Sequence, residues 1–204
     1  MNTNEEIVFK SNGWQAINRM GIINENYHTL ILNYRELMNE IVRIQQVQAP
    51  FLLLFNNEHL NRHIFNFLAS TSALIDSCRS VMDFYKNTEI HEHYTKNIKE
   101  QFTNNSIAVF IKDLRNYQMH YETTFPYVTP DKQVCFETHE FKQYNRWTKL
   151  SKEFIKKQGD FIILKPLIET YFKMLEPFYM NIYAELTKYH KQDFKETIEL
   201  ATKI

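Results

Sequence analysis

The sequence predicts an all-α protein folded as an antiparallel helical bundle. The chain has 204 residues, of which 44% are hydrophobic and 24% are charged, a composition typical of a folded globular domain. It contains only 3 glycines, where average usage would give about 14, and this disfavours a turn-rich β protein. The same scarcity excludes a P-loop or a GxGxxG loop, because neither motif can be written with Gly13, Gly21 and Gly159.

Apolar residues at helical spacing predict seven helices. The first runs from about Asn24 to Ala49, because apolar residues recur there at intervals of three, four and seven and Pro50 then ends the helix. Its apolar positions are Leu30, Leu37, Ile41 and Ile44. The other predicted helices cover about residues 57–86, 89–103, 106–121, 139–157, 160–190 and 193–203.

Three of these helices carry features that set their boundaries or their neighbours. The second has a strip of small or short polar residues that allows another helix to approach closely: Asn66, Ser70, Ala73, Ser77 and Ser80. Gly159 ends the fifth helix, and Asp160 is the predicted N-cap of the sixth. Pro166 lies in the early turns of the sixth helix, whereas Pro177 lies inside it and should kink it.

One substantial loop separates the fourth and fifth helices, at about residues 122–138. It contains Pro126 and Pro130, and a short extended run from Val134 to Phe136 indicates a small hairpin. We predict a single all-α domain over residues 1–204, with a bundle core of about residues 57–190 and an N-terminal helical extension of residues 1–50. The alternative is that residues 1–50 form a separate arm that binds a partner.

Charge and cysteine content indicate a cytoplasmic protein that has no membrane segment. The 24 basic residues balance the 24 acidic ones, so no whole-molecule field recruits DNA or an anionic membrane, although a local basic patch can still bind RNA. The N-terminal sequence has neither the basic nor the apolar region of a signal peptide. The apolar run from Phe51 to Phe55 is too short to span a bilayer. Cys78 and Cys135 form no CxxC pair, which is typical of reduced thiols.

The predicted fourth helix carries the residues best suited to chemistry. Asn116 and His120 lie four residues apart and share a helix face, and Arg115 lies five residues before the histidine. At 100° per residue, Arg115 points about 140° away from His120, so its side chain must reach round or meet the histidine of another subunit. A histidine exchanges protons near pH 7 and an arginine binds phosphate with two hydrogen bonds, a combination that suits phosphodiester chemistry.

This segment resembles the HEPN superfamily, an all-α bundle family with an Arg-x4–6-His motif and often a polar residue after the arginine. The specific likeness consists of Arg115, Asn116 and His120, and the long preceding helix with its small strip is similar as well. The resemblance implies metal-independent RNA cleavage, without a cofactor, at a composite site where two motif helices meet in a homodimer. It also implies a toxin or defence role with a cognate antitoxin or regulatory protein.

Several residues are predicted to support this site. Asp113 and Tyr117 lie on the same stripe of the fourth helix, and Tyr121 is adjacent to His120. Asp76 on the second helix is interpreted as a carboxylate that orients His120 or Arg115, with Arg79 as a further phosphate contact. The alternative for Asp76 and Arg79 is an ordinary ion pair, which contributes little to stability.

Basic residues around the fifth helix are candidates for RNA binding. The residues are Arg146, Lys149, Lys152 and Lys156, with Lys157 and Trp147 beside them. Cations beside an aromatic ring suit an RNA backbone, and the alternative is a solvated helix end whose dipole favours positive charge. No metal site is predicted. HExxH is absent, and His59–His63 and His91–His93 each supply fewer ligands than a catalytic zinc needs. A di-iron bundle needs two Glu-x-x-His segments, and Glu25–His28 is the only one.

Two functional hypotheses follow from these residues. In the first, the protein is an endoribonuclease in which His120 transfers a proton, Arg115 stabilises the phosphorane charge and Asn116 positions the phosphate or the imidazole. In the second, the same bundle is a non-catalytic module that dimerises or binds a nucleotide or a protein. A bundle with metal-dependent oxygen chemistry is a third reading, and metal analysis would test it.

Overall fold

The computed structural model describes residues 3–46, 57–124 and 126–203. Within these ranges the protein has eight α-helices and a small three-stranded sheet. The helices are α1 Thr3–Lys10, α2 Asn12–Gln46, α3 Asn57–Met82, α4 Glu89–Ile98, α5 Ser106–His120, α6 Lys149–Lys157, α7 Leu164–Tyr189 and α8 Lys191–Ala201. The strands are β1 Tyr127–Val128, β2 Val134–Glu137 and β3 Phe161–Ile163.

Helix α2 packs antiparallel to both α3 and α7, and the three helices share one core. Between α2 and α3, Tyr34 contacts Phe67 and Glu36 lies near His63. The residue numbers rise along α2 while they fall along α3, so the two helices run in opposite directions. The rings of Tyr34 and Phe172 stack on the α2–α7 side with centroids 3.9 Å apart. The buried residues of α2 belong to the same hydrophobic cluster as those of α3, α5 and α7. The mainly helical class is therefore confirmed.

The first helix begins earlier than predicted. Instead of starting near Asn24, α2 starts at Asn12, because Ala16, Met20 and Ile23 continue the buried stripe toward the N-terminus. The short helix α1 precedes it, and neither α1 nor the first turns of α2 were predicted. The C-terminal helix α8 packs across this region, where the hydroxyls of Ser11 and Thr197 lie 2.9 Å apart. The predicted end at Ala49 and the predicted domain boundary near residue 50 lie outside the described residues.

The second, third, fourth and last predicted helices are confirmed within a few residues. Helix α3 gives way at Asp83–Tyr85 to a turn of 3₁₀ helix, and α4 is followed by a π-helical turn over Lys99–Thr103. Between the 3₁₀ turn and α4, Asn87 has a positive φ of 67°. The last helix begins at Lys191, two residues before its predicted start.

The loop between α5 and α6 forms the predicted hairpin and one strand more. Strand β2 pairs antiparallel with β1, with Val134 opposite Val128. It also pairs with β3, with Phe136 opposite Ile162. The prediction of a helix from Asp160 is therefore wrong for residues 161–163, since β2 offers these β-prone residues backbone partners that the sequence pattern did not reveal. Helix α7 begins at Leu164, and Ile163 is its N-cap.

The predicted fifth helix is wrong in its first half. Thr138–Gln143 forms a 3₁₀ helix, and α6 begins only at Lys149. The indole N–H of Trp147 donates a 2.9 Å hydrogen bond to the Phe141 carbonyl, which holds the intervening segment as a tight loop. At the other end, Gly159 has a φ of 72°, a left-handed conformation that suits glycine and ends the helical region as predicted.

Candidate functional site

Helix α5 positions the predicted motif, and local sequence explains where it begins. The Asn105 side chain is the N-cap, and its Oδ1 accepts hydrogen bonds from the backbone N–H groups of Ile107 and Ala108. One face of α5 is buried in the core, through Phe110, Ile111, Asp113, Leu114 and Tyr117. The helix ends at His120, so the histidine lies at the exposed C-terminal end of the element.

The motif residues lie on the surface side of α5 without converging within one chain. Arg115 donates from Nη1 to Oδ1 of Asn116 at 3.2 Å, and both side chains are half-buried. The Nε atom of Arg115 is buried and has no hydrogen-bond partner. His120 is exposed, and in the part of the chain that the structure describes no hydrogen bond, ion pair or ring contact holds its imidazole.

A crevice too narrow to admit a water molecule lies between α3 and α5 beside Arg115. It is lined by Phe65, Leu68, Ala69, Arg115, Gln118 and Met119. Phe65 and Met119 on its rim expose 41% and 38% of their surface, which is high for large apolar residues. The Oε1 atom of Gln118 is also buried and has no hydrogen-bond partner. Phe65 and Met119 were not among the predicted site residues, although both lie outside the apolar stripes of their helices.

Asp113 is buried and acts as a structural anchor, away from the outer face of the motif helix. Its Oδ2 accepts hydrogen bonds from the backbone N–H and hydroxyl of Thr148 and from the hydroxyl of Ser151, at 3.0, 2.8 and 2.7 Å. Thr148 is the N-cap of α6, so this carboxylate fixes where α6 begins. Asp113 therefore contacts the start of α6, and these contacts account for the residue without any role at His120.

Tyr117 and Tyr121 belong to an aromatic cluster beneath the end of α5. The Tyr117 hydroxyl donates to Oε2 of Glu122 at 3.1 Å, and burial together with this carboxylate raises the pKa of Tyr117 well above its usual value of 10. The ring of Tyr117 stacks on Trp147, whereas Tyr121 remains half exposed. Tyr121 is thus the aromatic side chain of this pair that is accessible to a ligand.

Asp76 and Arg79 form the ordinary ion pair that was the alternative interpretation. Asp76 Oδ1 lies 3.2 Å from Nη1 of Arg79, and both side chains are 64% exposed. The pair is one helical turn apart on α3, and such exposed pairs contribute less than about 1 kcal/mol. In the described residues neither side chain contacts Arg115 or His120.

The predicted RNA-binding residues are all on the surface. Arg146, Lys149, Lys152 and Lys156 are exposed, and no salt bridge neutralises them among the residues that the structure describes. Arg146 lies between Tyr144 and Trp147, both of which pack against the Tyr117 ring. The hydrogen bonds of Asp113 to Thr148 bring the start of α6 to the side of α5, so the first of these cations lie near the motif helix.

The histidines considered as metal ligands are dispersed. His63 Nδ1 lies 3.4 Å from a carboxylate oxygen of Glu36, and His93 lies 3.6 Å from Glu185. Across residues 3–46, 57–124 and 126–203, no group of three or more His, Cys, Asp or Glu side chains is arranged to hold a metal ion.

A buried polar network that the sequence analysis missed joins the C-terminal helix to the rest of the bundle. His190 is buried, with Nε2 2.8 Å from the Tyr85 hydroxyl and Nδ1 2.7 Å from Oδ2 of Asp193. The Arg19 guanidinium on α2 packs over the neighbouring Phe84 ring at 4.3 Å. The spacing of His190 and Asp193, three apart at a helix start, was the available signal. The hydrogen bonds link the 3₁₀ turn after α3 to the start of α8.

No protein-family model, no curated protein and no solved structure matches this chain. Among the described helices, none combines the length and the apolar character that crossing a bilayer requires.

Proposed function

We propose that this protein is a HEPN-type, metal-independent endoribonuclease of a cytoplasmic toxin or defence system, acting as a homodimer. The observation that carries the proposal is the surface of α5. There Arg115 has a buried, unpartnered Nε atom, Asn116 bonds the guanidinium, and His120 is exposed and unengaged within the described residues. The half-buried guanidinium keeps N–H donors beyond the one that it gives to Asn116, and these donors, not the buried Nε, suit a phosphate.

In the proposed reaction the ribose 2′-oxygen attacks the adjacent phosphorus. His120 acts as the general base that takes the proton of the 2′-hydroxyl, or as the acid that protonates the leaving 5′-oxygen. Arg115 stabilises the negative charge of the phosphorane, and Asn116 orients the phosphate or the imidazole. The products are a 2′,3′-cyclic phosphate on one fragment and a 5′-hydroxyl on the other, with no water consumed.

The geometry of α5 supports the homodimer. Arg115 borders the crevice with α3, whereas the helical repeat turns His120 about 140° away from it. A second copy supplies the missing partner if the two α5 helices meet. The exposed rim residues Phe65 and Met119 provide apolar surface for such a contact, and association buries that surface.

Cleavage of RNA in the presence of EDTA tests the proposed function directly. Wild type should cut single-stranded RNA and leave 2′,3′-cyclic phosphate ends, whereas His120→Ala should lose at least about 100-fold in rate, as expected for a lost general acid or base. His28→Ala is the matched control, because His28 is exposed on α2, away from α5. Equal rates for wild type and His120→Ala would refute the assignment.

Mixing two inactive variants tests the composite site. Arg115→Ala and His120→Ala should each be inactive alone, but a heterodimer of the two keeps one site with both wild-type residues. Random exchange of subunits should therefore restore about a quarter of wild-type activity, because about half of the dimers are mixed and each has one of two sites intact. If each chain held a complete site, mixing would restore nothing.

The second candidate is a non-catalytic module that dimerises or binds a nucleotide or protein, including a cognate antitoxin or regulatory protein. It is favoured by the lack of any described group that orients the His120 imidazole, since catalytic histidines are normally held by a hydrogen bond to the second ring nitrogen. This candidate predicts a stable dimer that dissociates when Phe65 and Met119 are both changed to Glu, with no cleavage of RNA by the wild type.

A further inference from the structure

Helix α8 carries an open apolar pocket on its solvent-facing side. The pocket has a volume of about 500 Å³, and apolar atoms form almost all of its surface. Phe194 is partly buried against the core, whereas Ile198 one turn later exposes 63% of its surface. Covering so exposed an isoleucine removes apolar area from water and is therefore favourable. The residues that line the pocket are Thr187, Lys191, Phe194, Lys195, Ile198 and Glu199.

Another side of α8 is fixed to the rest of the bundle. The hydroxyls of Ser11 and Thr197 lie 2.9 Å apart and join α8 to the segment before α2. At the start of α8, the buried His190 hydrogen-bonds both Tyr85 and Asp193. These contacts hold the helix in place, so a partner that binds its outer side does not have to order the helix first.

The charges beside the pocket are self-complementary. Lys195 and Glu199 are four residues apart, next to Phe194 and Ile198, which are also four residues apart. Within one chain the lysine Nζ and the glutamate Oε1 are 4.0 Å apart, with side chains 70% and 58% exposed. A lysine four residues before a glutamate is the weaker order for an ion pair within a helix, so both charges remain available to another chain. A second α8 that runs in the opposite direction presents the same two charges in reverse order, with glutamate opposite lysine.

We infer that α8 pairs antiparallel with the α8 helix of a second copy of this chain. In that arrangement Phe194 of each chain packs on Ile198 of the other, and Lys195 of each chain meets Glu199 of the other. Both sets of contacts repeat across a two-fold axis, as a contact between identical surfaces requires. Two helices of 11 residues bury less than about 1,200 Å², so the contact should be weak and should depend on protein concentration.

The α8 contact is separate from the α5 contact of the proposed homodimer. His190 at the start of α8 hydrogen-bonds Tyr85, just after the end of α3. Phe65, on the rim of the crevice beside α5, lies about 25 Å away along α3, given the rise per residue of a helix. The inference therefore goes beyond the proposed function, and either contact can be removed without the other.

Sedimentation equilibrium of a full-length variant without the α5 contact tests the inference. The background is Phe65→Glu/Met119→Glu, in which α8 provides the remaining proposed contact. Its average mass should rise from that of a monomer at low micromolar concentration toward twice that value at high micromolar concentration. Adding Ile198→Glu should hold the protein monomeric throughout, because two carboxylates then meet beside the two-fold axis.

Reversal of the charges separates the pairing of α8 from non-specific association. Lys195→Glu should weaken association at least about tenfold, because it places like charges opposite each other. Lys195→Glu combined with Glu199→Lys restores opposite charges and should associate within about threefold of the background. A double charge variant as weak as Lys195→Glu alone would overturn the antiparallel pairing.

Leu32→Glu is the matched control, since Leu32 is 60% exposed on α2, well beyond the Gly13 end that α8 contacts. It should associate like the background, and circular dichroism should show the same helix content in every variant. The inference fails if the background protein remains monomeric at every concentration, or if Leu32→Glu and Ile198→Glu reduce association equally.

Discussion

Gly13 lies near the start of α2, where α8 approaches closely. A Cβ atom at this position would meet the backbone oxygen of Asp193 and the hydroxyl of Thr197, both on α8. The backbone oxygen is fixed by its own helix, so it cannot move aside without moving α8. Gly21 lies eight residues further along the same helix, and a Cβ atom there would meet nothing within 4 Å. The two glycines therefore have different reasons to be present.

Alanine at the two positions should change stability in opposite directions. Gly13→Ala should lower the free energy of unfolding by about 1–3 kcal/mol, because the methyl group forces α8 away. Gly21→Ala should raise it by about 0.5–1 kcal/mol, because alanine loses less backbone entropy than glycine in a helix. Urea unfolding followed by circular dichroism measures both. A Gly13→Ala protein as stable as Gly21→Ala would contradict the close approach of α2 and α8.

Some residues of the candidate site were predictable from the sequence and others were not. The spacing of Asn116 and His120 correctly placed both on α5, because a helical repeat is a local property. The ion pair of Asp76 with Arg79 is local as well, and it was one of the two interpretations offered from the sequence. The partners of the buried Asp113 were not predictable in the same way, because its contact with Thr148 on the way into α6 spans 35 residues of sequence.

At the scale of elements, a single carboxylate joins α5 to α6. Three hydrogen bonds from Thr148 and Ser151 converge on Oδ2 of Asp113, and Ser151 and Asp113 are both buried. The Thr148 hydroxyl, as the N-cap, also accepts from the Ser151 N–H. This arrangement explains why α6 begins at Lys149 instead of near His139, as the sequence pattern suggested.

Removal of this carboxylate should destabilise the protein far more than removal of an exposed one. Asp113→Ala leaves three donors without their acceptor in a buried place, and should cost about 2–4 kcal/mol of unfolding free energy. Asp76→Ala is the control on the neighbouring helix α3, and should stay within about 0.5 kcal/mol of wild type. Chemical denaturation of the two variants measures the difference. Equal losses would show that the Asp113 network is not an anchor.

Helices and strands were predictable where neighbouring residues in the sequence determine them. The ends of α3, α4 and α5 follow from apolar periodicity, and each lies within a few residues of its predicted place. Strand β3 was not predictable, because its residues Phe161–Ile163 continue an apolar run that also fits the start of a helix. Pairing with β2, some 25 residues earlier in the chain, decided between the two.

At the scale of the whole molecule, buried tyrosines join the long helices. The rings of Tyr27 on α2 and Tyr179 on α7 stack with centroids 3.8 Å apart, and Tyr94 on α4 packs near Phe178 on α7. Burial, together with the Glu176 carboxylate at Tyr27, raises the pKa of Tyr27 to about 12. Burial likewise raises the pKa of Tyr94 and of Tyr179 to about 12. The folded protein thus keeps these tyrosines protonated where an unfolded chain ionises them.

Stability should therefore fall as the pH rises from 10 to 12. The unfolded chain releases tyrosine protons near the ordinary pKa of 10 and the folded chain only near 12, so alkali favours the unfolded state across this interval. The contribution of these groups is complete below pH 10 and lost as the pH passes the folded values. The loss of far-ultraviolet circular dichroism should coincide with the part of the rise in absorbance at 295 nm that comes from the buried tyrosines.

Tyr94→Phe provides the control for this prediction. Tyr94 is buried and its hydroxyl has no hydrogen-bond partner among the described residues, so phenylalanine removes a titrating group without removing a bond. The variant should unfold at a higher pH than wild type. An unchanged or lower midpoint would mean that the raised pKa of Tyr94 does not drive alkaline unfolding.

The amino-acid sequence by itself determined the helical class, the approximate positions of most helices, the hairpin near Val134 and the helix that carries Arg115, Asn116 and His120. Each of these depends on spacing and composition over a few turns of chain. Tertiary structure decided the third strand, the late start of α6, the burial of Asp113 and the aromatic cluster beneath the end of α5. Those features depend on which distant segments supply hydrogen-bond partners and packing surfaces, because a backbone or side-chain group adopts the conformation in which its buried polar atoms are satisfied.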